Sequence, residues 1–312
     1  MTAGLSNNLI LALLGIVTLL VVATLVVVVL KYNRPENDYT ELELRVSTWW
    51  AIVAIFSFAI LVNRAVAIVF LAFVSFLALK EYFSMIPTRR SDRRVLFWAY
   101  LSIPLQYYWI YKGWYGMFII FIPVFIFLLL PMRMALIGET KGFLRAAGTL
   151  HWGLMITVFG LSHAAYLLAL PADSSQPAGG EGLLLYLVFL TQFNDISQYI
   201  WGKLFGRHKV IPLVSPNKTF EGLLGGVFTT LLLAFLLAPI LTPLSNKEVV
   251  IAGLIISFGG FIGDVNISAI KRDLGIKDSS SVLPGHGGIL DRVDSLSYTA
   301  PLFFHFIYYM HF

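Results

Sequence analysis

The chain has 312 residues, of which 58% are hydrophobic and 12% charged, with a net charge of +5 and no cysteine; its mean hydropathy is +0.81. A soluble domain carries about 25% charged residues, so a water-soluble globular enzyme is excluded, and so is a disordered chain, which lacks this much apolar surface. The missing cysteines exclude disulfides, thiolate metal sites and thiol nucleophiles.

The apolar runs are continuous rather than alternating, so the expected class is an all-α polytopic membrane protein and not an outer-membrane barrel. In chain order, ten stretches approach the roughly 20 apolar residues needed to cross a bilayer. They are 8–30, 48–62, 65–80, 94–111, 114–131, 150–170, 183–201, 223–243, 249–270 and 296–312. The first runs from Leu9 to Leu30 without a charge. It lacks a basic leader and a small-residue cleavage site, so it reads as a retained span. The second and third are short and separated only by Asn63 and Arg64. They are either two tight spans or a broken, re-entrant pair, which leaves the expected count at about eight to ten.

Nineteen of the 22 basic residues fall in the loops after odd-numbered stretches, and only Arg64, Lys112 and Lys247 in the others. Lys and Arg collect on the cytoplasmic side, which predicts cytoplasmic odd loops and both termini outside. The same asymmetry accounts for the net charge with no nucleic-acid partner. The stretch Pro171 to Gly182, rich in Gly, Pro and Ser, is expected to be a flexible external loop. It divides an N-terminal transmembrane region, 1–172, from a C-terminal catalytic region, 183–312.

Three C-terminal stretches break the hydropathy pattern. Thr191, Asp195 and Gln198 are spaced to share one helical face, and a carboxylate near the membrane end of an apolar helix is expected to be functional. The loop from Gly202 to Gly226 gathers Lys203, Arg207, His208, Lys209 and Lys218 around Ser215-Pro-Asn-Lys-Thr219 and Glu221. Freed backbone N–H groups beside lysine make a cradle for phosphate. Finally, Asp264, Ser268, Lys271 and Arg272 form a polar stripe on one helix face. It is followed by Asp273, Lys277, Asp278, the turn Pro284-Gly-His-Gly-Gly288, and Asp291-Arg-Val-Asp294. Asp291 and Asp294 share a face, and with Asp264 they form a three-carboxylate set of hard oxygen donors suited to Mg²⁺.

Ser268-Ala-Ile-Lys-Arg-Asp-Leu-Gly-Ile-Lys-Asp278 followed by Leu283-Pro-Gly-His-Gly-Gly-Ile-Leu-Asp-Arg-Val-Asp294 resembles the signature of phosphatidate cytidylyltransferases, also called CDP-diacylglycerol synthases. Ser215-Pro-Asn-Lys-Thr-Phe-Glu-Gly222 resembles a second block of that family. Asp195, Tyr199 and Gly202 resemble a third, and Leu77-Ala-Leu-Lys-Glu-Tyr82 more weakly an N-terminal one. The resemblance covers roughly residues 190–300. It departs at Ile267, where many bacterial members carry Glu, and this points toward a paralogue acting on another lipid phosphate.

The resemblance implies that CTP and phosphatidic acid, or a related lipid phosphate, give CDP-diacylglycerol and pyrophosphate. It implies Mg²⁺ in a binuclear centre, with K⁺ as the second ion, held by Asp264, Asp291 and Asp294. Lys271, Arg272 and His286 would join those carboxylates in catalysis. Asp195, Ser215, Lys218, Thr219, Glu221, Ser268, Lys277, Asp278, Gly287 and Arg292 would bind substrate. The expected setting is a bacterial inner membrane, in contact with membrane lipids, with the site facing the cytoplasm and a homodimer as a further expectation. The rival reading, a transporter for an anionic substrate, predicts polar groups spread through the membrane depth. Here they crowd onto one side.

Overall fold

The computed structural model describes residues 6–89, 92–171, 177–276, 278–280, 285 and 287–312. Among them, helices stand at all ten expected places. The first four are α1 (Asn7–Asn33), α2 (Thr40–Val62), α3 (Arg64–Met85) and α4 (Arg93–Lys112). The fifth rod joins α5 (Tyr115–Ile120) to α6 (Phe127–Ala135) through a π-helical turn, Phe121–Ile126, that contains Pro123. Wide turns of this kind absorb a residue that cannot continue the regular ladder. The sixth joins α7 (Phe143–Leu154) to α8 (Leu161–Leu167) through another, Met155–Gly160. Then come α9 (Gly179–Phe205), α10 (Phe220–Leu241), α11 (Asn246–Asp273) and α12 (Leu290–His311).

Six of these rods are long and apolar enough to cross a membrane on length and composition alone: α1, α2, α3, the α5–α6 rod, α10 and α11. The chain is a helical membrane protein. The other four rods carry aromatic and polar side chains in place of aliphatic ones, including the buried Gln106, Ser162, His163 and Asn194.

The structure corrects the sequence expectation in several places. α2 and α3 are two full helices of 23 and 22 residues rather than a re-entrant pair. The chain turns at Asn63, whose side chain caps α3 by accepting from Val66 N at 2.9 Å. α2 also begins eight residues before its apolar run, because its charges are paired. Arg45 bonds Glu41 one turn away, and Lys31 reaches Glu43 at 2.7 Å. The expected loop 171–182 is shorter than its composition suggests, since α9 starts at Gly179; residues 172–176 lie outside the described residues. The basic loop after α9 is not irregular throughout. Lys209–Ile211 (β1) and Ser215–Thr219 (β2) pair as a small antiparallel hairpin, the one sheet among the described residues.

α9 is the centre of the C-terminal half, packed against α8, α10, α11 and α12. α1 is its opposite. Only 11% of its apolar window is buried, against 50% in α3, so most of the α1 surface is left uncovered by the rest of the chain. Ser6 Oγ and Asn8 Nδ2 tie its start to the Pro177 carbonyl at 2.8 and 3.3 Å.

Candidate active site

The close approach of α11 to α12 determines the site. A Cβ on Gly263 would stand 2.5 Å from the Asp294 carbonyl oxygen, so the two backbones touch there, as small residues allow between membrane helices. The residue after Gly263 is Asp264, which is thereby brought against Asp294. α9 supplies the third carboxylate. Ser295 Oγ lies 3.0 Å from Asp195 Oδ1 and 3.1 Å from the Gly260 carbonyl, which links α9, α11 and α12 at one point. Asp195 and Asp264 repel one another, and Asp294 is repelled by both.

Around these acids the cations are few and specifically placed. Lys218 Nζ, from the end of β2, bonds Asp264 Oδ2 at 2.7 Å. It also stands 3.5 Å from Gln198 Oε1 and 4.9 Å from the centre of the Phe261 ring. Ser268 Oγ donates to Asp264 Oδ1 at 3.1 Å, one turn along the same helix. Among the described residues, neither Asp195 nor Asp294 has a cation within ion-pair reach. Asp294 is buried, with Oδ1 accepting only its neighbour's amide, Ser295 N, at 2.7 Å.

Asp291 behaves differently. Its Oδ1 accepts from Lys271 Nζ at 2.8 Å. Its Oδ2 accepts from Ser279 N at 2.9 Å and Gly288 N at 3.1 Å, with Ser279 Oγ also at 2.9 Å. Asp291 and Asp294 do lie on one helix, as their spacing predicts. Yet the structure puts Asp195, rather than Asp291, beside Asp264 and Asp294. The reason is local: Asp291 sits in the first turn of α12, where Lys271 and the amides of Ser279 and Gly288, which lie before the helix, reach its carboxylate.

The remaining expected residues divide between the site and its scaffold. Thr219 is the N-cap of α10, its hydroxyl accepting from Gly222 N at 3.1 Å. Glu221 fastens the preceding loop, accepting from His208 Nδ1 at 2.6 Å and from the amides of Arg207 and His208 at 3.0 and 3.2 Å. Arg272 donates to the Val214 and Ile276 carbonyls at 3.2 and 3.4 Å, bracing the hairpin turn. Ser215 opens β2 and pairs with Ile211 in the hairpin. Arg292 keeps its Nε buried without a partner among the described residues, within electrostatic reach of Asp195. Asp278 is exposed and lies near Gly287. Gly287 has φ +77°, a conformation that favours glycine, and a Cβ there would stand 2.8 Å from Asp291 Oδ2. Lys277 and His286 lie outside the described residues. Ile267 is 1% exposed and packed in the core.

Sequence reasoning left two residues out of the site, one of them, Glu81, within the Leu77–Tyr82 block that resembles the family. Asn194, fully buried, accepts from Thr230 Oγ1 at 3.2 Å and donates to the Ser257 carbonyl at 3.3 Å, joining α9, α10 and α11. An amide in an apolar run was the signal available. Glu81, on α3, is buried and bonds both ends of the segment before α12; a charge at the end of an apolar helix marked it. A cavity of about 750 Å³, lined by Tyr82, Phe83, Leu144, Trp152, Ile270 and Leu274 among others, lies between α3, α7 and α11. Asp195, Asp264 and Asp294 are not among the residues that line it.

Fold and site together define a polytopic helical membrane protein with an acidic centre, flanked by lysines, at one end of its helices. The sequence matches the cytidylyltransferase family over residues 43–310, and the chain belongs to that family. It is 48% identical to the uncharacterized protein YnbB of Escherichia coli over 93% of this chain and 95% of that one. It is 42% identical to a phosphatidate cytidylyltransferase of Staphylococcus aureus, over 39% of this chain and 48% of the relative. With the phosphatidate cytidylyltransferase of Haemophilus influenzae it shares 40% identity over 46% and 51%. The match thus spans about half the length of these two named enzymes.

Proposed function

We propose that this protein transfers a cytidylyl group from CTP to a lipid phosphate, with phosphatidic acid as the first candidate, giving CDP-diacylglycerol and pyrophosphate. The observation that carries the reading is the convergence of Asp195, Asp264 and Asp294 beside Lys218 in a member of the cytidylyltransferase family. In the reaction an oxygen of the lipid phosphate forms a bond to the α-phosphorus of CTP. The bond from that phosphorus to the oxygen bridging it to the β-phosphate breaks, and pyrophosphate leaves with the electron pair. The nucleophile is already anionic, so no strong base is required; the obstacle is the repulsion between two polyanions. Lys218 and Lys271 offset it with positive charge, and Arg292 stands near enough to add more.

Among the described residues, no three His, Asp or Glu side chains stand close enough together to hold a metal ion. The donor chemistry nevertheless fits a hard cation. Asp195, Asp264 and Asp294 offer carboxylate oxygens with one directly bonded lysine among the three, and a divalent ion offsets such an excess of negative charge. Mg²⁺, with K⁺ as a second ion, would be held by Asp264 and Asp294 with Asp195 only once these carboxylates draw closer together than they stand here. Asp291 joins that set only by giving up Lys271. When bound, the metal supplies charge neutralisation at the phosphates and orients them.

The one-sided distribution of Lys and Arg supports a site at the cytoplasmic face of a bacterial inner membrane, ten spans, and termini outside. There a soluble nucleotide meets a lipid held in the bilayer. A second reading, a paralogue using another lipid phosphate, is favoured by the buried apolar Ile267. Purified protein in detergent micelles, given CTP, Mg²⁺ and a panel of lipid phosphates, should release pyrophosphate with phosphatidic acid. Release with a different lipid alone selects the paralogue, and no release with any of them sinks the enzyme reading.

A further inference from the structure

Helix α12, which carries Asp291, Asp294 and Ser295, has no cap of its own. Ile289 precedes it, and its side chain has no hydrogen-bonding atom. The leading N–H groups of a helix need partners from elsewhere, and here they come from a distant part of the chain. Glu81 on α3 accepts from Ile289 N at 3.0 Å through Oε1 and from Leu290 N at 2.8 Å through Oε2. The same carboxylate accepts from Ser280 Oγ at 2.8 Å and stands 3.2 Å from Ser279 Oγ. Glu81 therefore holds Ser279 and Ser280 together with Ile289 and Leu290 at the start of α12. It is 7% exposed and has no ion-pair partner among the described residues.

A buried carboxylate is costly unless several donors satisfy it, and a Ser or Asn just before α12 would cap it without that cost. What a local cap lacks is the link across the molecule. The segment ends that Glu81 holds are also the ones that hold Asp291, through Ser279 N and Gly288 N. Asp291 in turn holds Lys271. A continuous chain of hydrogen bonds thus runs from α3 to a lysine beside the acidic centre.

The geometry points to Glu81 as a positioning residue: it caps α12 from the N-terminal half and joins Ser279 and Ser280 to the helix start, so that Asp291 keeps Lys271 aimed at the phosphates. The kinetic part of this inference rests on the proposed cytidylyl transfer; the structural part does not. Glu81→Gln keeps the size of the side chain but turns one acceptor into a donor facing N–H groups. In hydrogen-exchange measurements on the full-length variant in detergent, the amides of Ser279 and of residues 288–291 should lose protection while the other helices keep theirs. Turnover should fall about 10- to 100-fold, the range seen when the outer partner of a functional side chain is removed. The fall should appear in kcat, with the KM for the lipid unchanged. Ser280→Ala, which removes one donor and no charge, should move both readouts the same way by less, and it serves if Glu81→Gln does not fold. Unchanged protection at Ser279 and 288–291, protection lost evenly throughout the bundle, or wild-type kcat overturns the inference. If wild-type protein releases no pyrophosphate, the proposed function fails, and the exchange pattern alone then decides the role of Glu81.

Discussion

Two groups of acids meet at the same end of this bundle and are treated in opposite ways. Around Asp291 and Glu81 the carboxylate oxygens are occupied by the chain's own donors: Lys271, Ser279, Ser280 and the amides that open α12. Around Asp195, Asp264 and Asp294 the acids repel one another, and among the described residues Lys218 is the one cation paired with any of them. Buried charge is stabilised by pairing and destabilised without it. The first group is thus finished as it stands, while the second holds an excess of negative charge that a bound cation and its phosphates would relieve. Proximity in sequence conceals this division, since Asp291 and Asp294 are three residues apart and belong to different groups.

The division can be broken by substitution. Asp264→Asn removes the carboxylate that Lys218 and Ser268 hold and should lower pyrophosphate release about 1,000-fold, the upper range for one preorganised electrostatic group, with the protein still folded. Activity within tenfold of wild type would take Asp264 out of the site. Asp291→Asn leaves Lys271 buried without its partner and should destabilise the protein by roughly 3 kcal/mol or more, read as a lower melting temperature in detergent. Asp294→Asn removes a repelling charge, so it should leave the melting temperature unchanged or raise it while turnover falls. The two groups are not distinct if both Asn variants melt alike.

Smaller effects test the packing that brings the groups together. Gly263→Ala pushes a methyl group against the Asp294 carbonyl and should cost about 1–3 kcal/mol, the usual range for overpacking, with a loss of turnover from displaced Asp264. A fully active and stable Ala variant would contradict the close contact of α11 and α12. Smallest is Thr219→Ala, which removes the α10 cap and should cost about 1 kcal/mol. Because Lys218 precedes the cap, the KM for CTP should rise, and an unchanged KM would detach the cap from the site.

Much of the site was legible in the sequence because helical spacing carries it. Thr191, Asp195 and Gln198 do share a face: Thr191 meets Thr299 at 3.0 Å, Asp195 meets Ser295, and Gln198 meets Lys218. The Asp264–Ser268 pair follows from the same rule. What the spacing misjudged were positions decided by partners elsewhere. Thr219 and Glu221 looked like ligands for phosphate, yet their bonds go to Gly222 and to the loop at Arg207 and His208. The hydropathy of 48–62 and 296–312 placed two helix starts too late, because Glu41 and Arg45 pair along α2 and Asp291 at the start of α12 is held by Lys271 of α11.

The sequence alone determined that this is a helical membrane protein, where its helices fall, and that its acids and lysines crowd the C-terminal end. These follow from hydropathy and from periodicities of the backbone, which are local properties. Only the tertiary structure decided which acids repel each other and which are already satisfied. That depends on contacts such as Gly263 to Asp294 and Glu81 to Leu290, which join residues up to 209 apart in the chain. No local period encodes them, because they arise from how closely two helices can approach.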